Sequence, residues 1–330
     1  MRMPQSLWEI QGNRRLVERL AGAGLPPAAL FSGPEGVGKR TVAVLLAAKL
    51  NCASPRELDL CGVCQSCRKI LAGESPDVML FPQSDAPHIG IDEMRVLRRE
   101  AQYRPFEGVT RCFIVDQAER MTPEAQNCLL KTLEEPPPTS RIMLISARPE
   151  ALLATIRSRC CIFRFSALSR DQLIAFLRAH QVNQAETRTA FSQGSIGRAL
   201  ELVPEELCRE RDLLLNLLDE WSRGGGFRAI LKYTEKAPLS GRIRRAEDVA
   251  RFLEILQSLG YDLYVTAVGR PDRLSHPDAA AKLSRIASRL SLKQIGCLLQ
   301  ETGRARRDLD RHVSPQMCFE TLWLAAESVP

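Results

Sequence analysis

The sequence predicts an α/β domain built on a parallel sheet, followed by an all-helical second half. Three observations carry this. Five short apolar runs alternate with helical patterns up to residue 165, a glycine-rich loop joins the first run to the first helical pattern, and strand signals stop after Phe165. Strand–helix alternation of this kind places helices on both faces of a parallel sheet. A length of 330 residues allows two or three domains.

The runs are Ala28 to Phe31, Val78 to Phe81, Cys112 to Val115, Ile142 to Ile145 and Cys161 to Phe163. Each is short, apolar and mostly bounded by Gly, Pro, Asp or Arg, as buried parallel strands tend to be. Helical patterns lie at Val42 to Leu50, Ile91 to Tyr103 and Pro123 to Leu133. Thr122 is placed to cap the last of these, with Pro123 at its first position and Pro136-Pro137-Pro138 ending it. Ser169-Arg170-Asp171-Gln172 reads as a capping box opening a helix with Leu173, Ile174, Phe176 and Leu177. From there to Val203 the pattern is a small helical unit with Gly194 and Gly197 in a turn. Residues 205–330 are helical patterns broken at Gly224-Gly225-Gly226, Pro238 to Gly241 and Gly269 to Pro277. The domain reading is 1–166, 167–204 and 205–330.

Composition excludes several classes. The chain is 45% hydrophobic and 26% charged, ordinary for a folded globular protein. No apolar run approaches the ~18 residues of a membrane span, and Met1-Arg2-Met3-Pro4-Gln5 lacks the apolar stretch of a signal peptide. A cytoplasmic protein is expected. The formal charge of +7 tolerates an anionic partner without demanding one.

Four motifs carry chemistry. Gly33-Pro34-Glu35-Gly36-Val37-Gly38-Lys39-Arg40-Thr41 follows the first strand and opens a helix. Such a loop turns backbone N–H groups, a helix N-terminus and a lysine toward phosphate. Gly33, Gly36, Val37, Gly38, Lys39 and Thr41 are the nucleotide-binding candidates. Arg40 stands where the strict pattern has the Ser or Thr that ligates Mg²⁺, and a guanidinium has no lone pair to offer. Phe113-Ile114-Val115-Asp116 ends a strand on an acid that would orient a metal-bound water, unless Asp116 only caps the following turn. The next residue, Gln117, cannot act as a base. Together these predict ATP or ADP held weakly, with Mg²⁺ ligation disfavoured.

Cys52, Cys61, Cys64 and Cys67 fall within 16 residues, two of the gaps being x₂. Four thiolates at this spacing suit a closed, structural Zn²⁺ site. An odd total of eleven cysteines argues against a disulfide framework. Arg157-Ser158-Arg159-Cys160 precedes the last strand, where arginines taken alone read as surface charge.

The motifs together resemble the bacterial clamp-loader AAA+ subunits of DNA polymerase III. The carrying residues are Gly33 to Thr41, the four cysteines after the phosphate-loop helix, Leu129-Leu130-Lys131-Thr132-Leu133-Glu134-Glu135-Pro136-Pro137, and Ser158-Arg159-Cys160. The resemblance covers roughly residues 7–200, with a fainter likeness at His312 to Gln316. It implies an AAA+ P-loop domain with a zinc insertion, a small helical lid and an all-α collar that holds a ring of subunits. Within the family, the gamma/tau motor type has an intact Lys-Thr loop, an Asp-Glu pair and a lid arginine. This chain has Arg40, Asp116-Gln117 and Gly197 at those places, with Arg198 one residue on, so it is more similar to the delta-prime type.

What the resemblance implies is a subunit with little or no ATP hydrolysis of its own, helping to load a sliding clamp on primed DNA. Arg159 would act in trans on ATP held by a neighbouring motor subunit. Partners would be gamma/tau and delta subunits, the clamp indirectly, and primer-template DNA through its backbone. Arg95, Arg98 and Arg99 are the candidates for that last contact. The rival readings are an ATP-hydrolysing motor subunit and a free-standing zinc-containing DNA-binding module.

Overall fold

The structure, a computed structural model, describes residues 5–84, 86–224, 246–311 and 313–327. The expected breaks at Gly225-Gly226 and Pro238 to Gly241, and His312, lie outside the described residues. The chain divides into two compact units, Met1–Asn183 with Ser192–Glu201, and Gln184–Phe191 with Leu202–Pro330.

The first unit contains a five-stranded sheet in the order β2-β3-β4-β1-β5, with every neighbouring pair parallel. The strands are β1 (Ala28–Ser32), β2 (Val78–Phe81), β3 (Arg111–Val115), β4 (Ser140–Ser146) and β5 (Cys161–Arg164). The α/β expectation holds. Alternate residues serve opposite faces, as the two-residue strand period requires. Ala29 and Phe31 of β1 and Cys112 and Ile114 of β3 pack on the face covered by α1 (Arg14–Ala23), α2 (Lys39–Leu50) and α3 (Gln65–Ala72). Ala28, Leu30, Phe113 and Val115 pack on the face covered by α4 (Ile91–Glu100), α5 (Pro123–Glu134) and α6 (Ala154–Arg159). The central strands β1 and β3 are buried throughout. Two runs differ from expectation as edge strands: Val78 to Leu80 of β2 are half-buried, and Cys161 and Ile162 of β5 are exposed.

Thr122 caps α5 by accepting a hydrogen bond from the Ala125 N–H, and the Ser169–Gln172 capping box opens α7 (Arg170–Ala179). Gly194 lies in a turn at φ +78°, but Gly197 does not. It sits inside α9 (Ile196–Glu201), where its missing side chain serves a close approach described below. The pattern at Ile91 to Tyr103 stops as a helix at Glu100 and continues as turns.

The second unit holds α8 (Ala185–Ser192), apart from its last residue, and α10 (Pro204–Ser222), α11 (Ala246–Ala267), α12 (Ala280–Ala287), α13 (Leu292–Asp310) and α14 (Pro315–Glu327). Its core is leucine-rich around the fully buried Trp323, which meets Trp221 and Phe319 edge-on, each with ring centres 6.3 Å away. Among the described residues, no helix is long and apolar enough to cross a membrane.

Candidate functional site

The carboxyl ends of the parallel strands gather the phosphate loop and Asp116, the end at which such sheets bind ligands. β1 runs directly into Gly33, whose N–H donates to the Ser146 carbonyl at the end of β4 (3.2 Å). Gly33 has φ +143°, and a Cβ there would lie 2.1 Å from the Phe165 carbonyl oxygen, so only glycine fits. Gly36 has φ +69° and carries the loop against α9. Its carbonyl accepts the Gly197 N–H at 3.0 Å, and a Cβ on Gly197 would lie 3.1 Å from Gly36 Cα. Gly197 is therefore a backbone contact to the loop.

A cavity of about 560 Å³ opens here, walled by Gly36 to Thr41, Asp116, Gln117 and residues of α7 and α9. Ile10, Phe176, Ile196 and Leu200 make one part of it apolar, suited to a flat base. Five carboxylates, among them Glu35, Asp116 and Glu119, outnumber the cations Lys39, Arg40 and Arg198 in its walls. That balance opposes a highly charged phosphate chain.

Lys39 begins α2 and is 6% exposed. Its Nζ donates to the carbonyls of Gly33 and Pro34, the latter at 2.6 Å. Burial pulls its pKa below the usual lysine value, against the opposing charges of Glu119, Asp116 and Glu35. Arg40 Nη1 lies 3.6 Å from Asp116 Oδ2. The residue that displaces the metal-ligating hydroxyl thus also pairs with the acid at the end of β3. Asp116 Oδ1 accepts the Gln117 N–H at 3.0 Å. Gln117, in the left-handed region at φ 50°, accepts from Arg120 Nη1 at 2.6 Å.

Glu119 is a cavity residue that the sequence pattern did not single out. Its Oε1 accepts the Ala147 N–H at 3.1 Å, and its Oε2 is buried without a hydrogen-bond partner among the described residues. Its place three residues after Asp116, on the short turn leaving β3, was the available signal.

Arg159 does not line this cavity. It ends α6 and contacts Glu134, the last residue of α5. Arg95 and Arg99 on α4 pair with Asp92 and Glu100, and Arg98 is exposed.

The four cysteines do converge. Their sulfurs all lie within 4.8 Å of one another, with Cys61 and Cys67 at 4.0 Å. A tetrahedral Zn–thiolate centre needs S···S of about 3.8 Å, from Zn–S near 2.3 Å. The Cys61–Cys67 pair is within about 0.2 Å of that spacing, and no pair needs to close by more than about 1 Å. Backbone N–H groups already point at sulfur: Cys61 N to Cys52 Sγ (3.3 Å), Cys64 N to Cys61 Sγ (3.3 Å) and Cys67 N to Cys64 Sγ (3.4 Å). Such bonds favour thiolate. Burial opposes ionisation of Cys64, yet the backbone at Cys67 and Ala53 and the thiols of Cys67 and Cys61 bring it down to about 6. Burial pushes the more enclosed Cys67 thiol up. These residues can hold a metal ion. Asp59 anchors the module, accepting the Leu7 and Leu60 N–H groups at 2.9 and 2.8 Å and bonding the Ser6 hydroxyl.

Residues 11–169 match the family described as DNA polymerase III, delta subunit. The chain is 32% identical over 217 residues to DNA polymerase III subunit tau of Escherichia coli, covering 62% of this chain and 33% of that protein. It is 36% identical over 178 residues to subunit gamma/tau of Mycobacterium tuberculosis, covering 53% of this chain and 31% of that one. It thus spans about a third of the length of these relatives. A solved gamma subunit-related protein of Thermotoga maritima aligns over 97% of this chain and 98% of its own at 19% identity and a TM-score of 0.38. Residues 11–169, which contain the sheet, thus match the DNA polymerase III delta-subunit family and are similar in sequence to gamma/tau clamp-loader subunits.

Proposed function

We propose that this chain is a delta-prime-type clamp-loader subunit, assembling with gamma/tau and delta subunits in the cytoplasm to help load a sliding clamp on primed DNA. The observation that carries this reading is the Arg40–Asp116 pair. It places a fixed cation between the phosphate loop and the acid that a hydrolytic site would use to organise Mg²⁺ and water. Gln117 beside it cannot polarise that water, and Gly197 offers the loop an N–H in place of a lid arginine. The site is built to hold nucleotide weakly and to leave it intact.

In this reading residues 167–204 serve as lid and 205–330 as collar. Zn²⁺ bound by Cys52, Cys61, Cys64 and Cys67 braces the insertion, supplying folding energy and no chemistry. Arg159 reaches ATP held by a neighbouring motor subunit, and α4 arginines meet the DNA backbone. Mixing the chain with gamma/tau-type and delta-type subunits tests the assignment. A stable complex whose ATPase needs Arg159, formed by a chain inactive alone, is the expected result. Failure to assemble, with DNA binding by the chain alone, favours the free-standing module.

A further inference from the structure

The Arg159 guanidinium is held by neighbours in its own chain. Its Nε donates to Glu134 Oε1 at 2.6 Å, and Nη2 contacts the same oxygen. Nη1 donates to the Thr155 carbonyl at 2.9 Å and, at 3.4 Å, to the Ser158 hydroxyl. A guanidinium has five N–H donors in one plane. Three are taken firmly, one weakly, and the last, on Nη2, points away from Glu134. The Nε/Nη2 edge is closed, and the outer Nη2 N–H is the donor left over. The side chain keeps 33% exposure.

Glu134 reaches this place for a local reason. α5 ends at Glu134, and Pro136 follows too closely for the helix to continue. The helix end therefore sets the carboxylate beside α6, the element carrying Arg159.

We infer that Glu134 is a positioning residue for Arg159: it fixes the guanidinium by one edge and leaves the outer Nη2 N–H presented to a phosphoryl group held by another subunit. This rests on the trans-acting reading of Arg159. A free arginine carries large rotamer entropy, lost at the moment of contact; one fixed beforehand loses less. Placing the carboxylate on the opposite edge orients the charge without blocking that N–H.

The test is a double-mutant cycle in the reconstituted complex, reading DNA-stimulated ATP hydrolysis for wild type, Arg159→Ala, Glu134→Gln and both together. Glu134→Gln lowers kcat by about twofold or more, with KM for ATP nearly unchanged, and never beyond the loss from Arg159→Ala. The double variant matches Arg159→Ala alone, because a residue acting only through Arg159 has nothing left to position. Glu134→Asp, one methylene shorter, keeps the charge but not the reach, and behaves like Gln. Additive losses, or wild-type rates for both Glu134 variants while Arg159→Ala is slow, overturn the positioning role and leave the trans role standing. Wild-type rates with Arg159→Ala itself remove the reading beneath it, and the positioning role falls with it.

Discussion

Arg40 and Asp116 face each other across the phosphate loop, Nη1 to Oδ2, at 3.6 Å. The pair is partly exposed, so it adds little to stability. Its consequence is chemical. Asp116 spends one oxygen on the Gln117 N–H and the other near a guanidinium. A divalent ion entering this site would meet a positive charge where it needs an oxygen ligand.

Nucleotide binding is therefore expected to be weak and nearly indifferent to Mg²⁺. Titration of the purified chain with ADP, in excess Mg²⁺ and then in chelator, should give dissociation constants within about twofold of each other, under 0.5 kcal/mol. Arg40→Ser restores the ligand hydroxyl and should make binding Mg²⁺-dependent. A wild-type affinity that collapses in chelator would show that the metal is held despite Arg40.

The cysteine cluster predicts about one equivalent of zinc per chain purified without chelator, as one four-ligand site requires. Cys64→Ser should lower the thermal midpoint and leave nucleotide affinity unchanged. Metal-free protein with all four thiols titrating freely would remove the site.

At Gly36 the positive φ and the close approach of Ser195 set the fit. A methyl there meets Ser195 Oγ at 2.2 Å and sits at φ +69°. Gly36→Ala should destabilise the sheet unit by about 1–3 kcal/mol in urea unfolding. Gly197→Ala, whose nearest contact is 3.1 Å, should cost less. Equal and negligible effects would mean that α9 does not rest on the loop.

Asp77 offers a test of the buried polar frame. It is 2% exposed, accepts the N–H groups of Phe106, Glu107 and Gly108 at 2.7 to 2.9 Å, and lies 3.9 Å from Arg111 Nε. Asp77→Ala strands three donors, while Arg111 keeps Glu100 at 3.2 Å, a loss on the order of 1–3 kcal/mol. A change below about 1 kcal/mol would mean that water replaces the carboxylate.

The fold was legible where the signal is local. Apolar runs bounded by breakers became strands, and Thr122 and Ser169 capped the helices they were expected to cap. Local signal also misled: Gly197 reads as a breaker, yet it lies inside α9 because a partner backbone comes too close for a side chain. Nothing in the run at Cys161 marks it as an edge, since exposure depends on which strand pairs beside it. The site was legible as pieces. Arg40, Asp116 and the four cysteines each carry their own pattern, whereas the partners of Asp77, Asp59 and Arg159 come from distant segments that only the fold brings together.

The central claim, a nucleotide fold that does not hydrolyse, is tested most directly by steady-state ATP turnover of the purified chain with Mg²⁺. No turnover above background is the predicted result. A rate on the order of 1 s⁻¹ or more, abolished by Lys39→Ala, would contradict it and identify the chain as a motor.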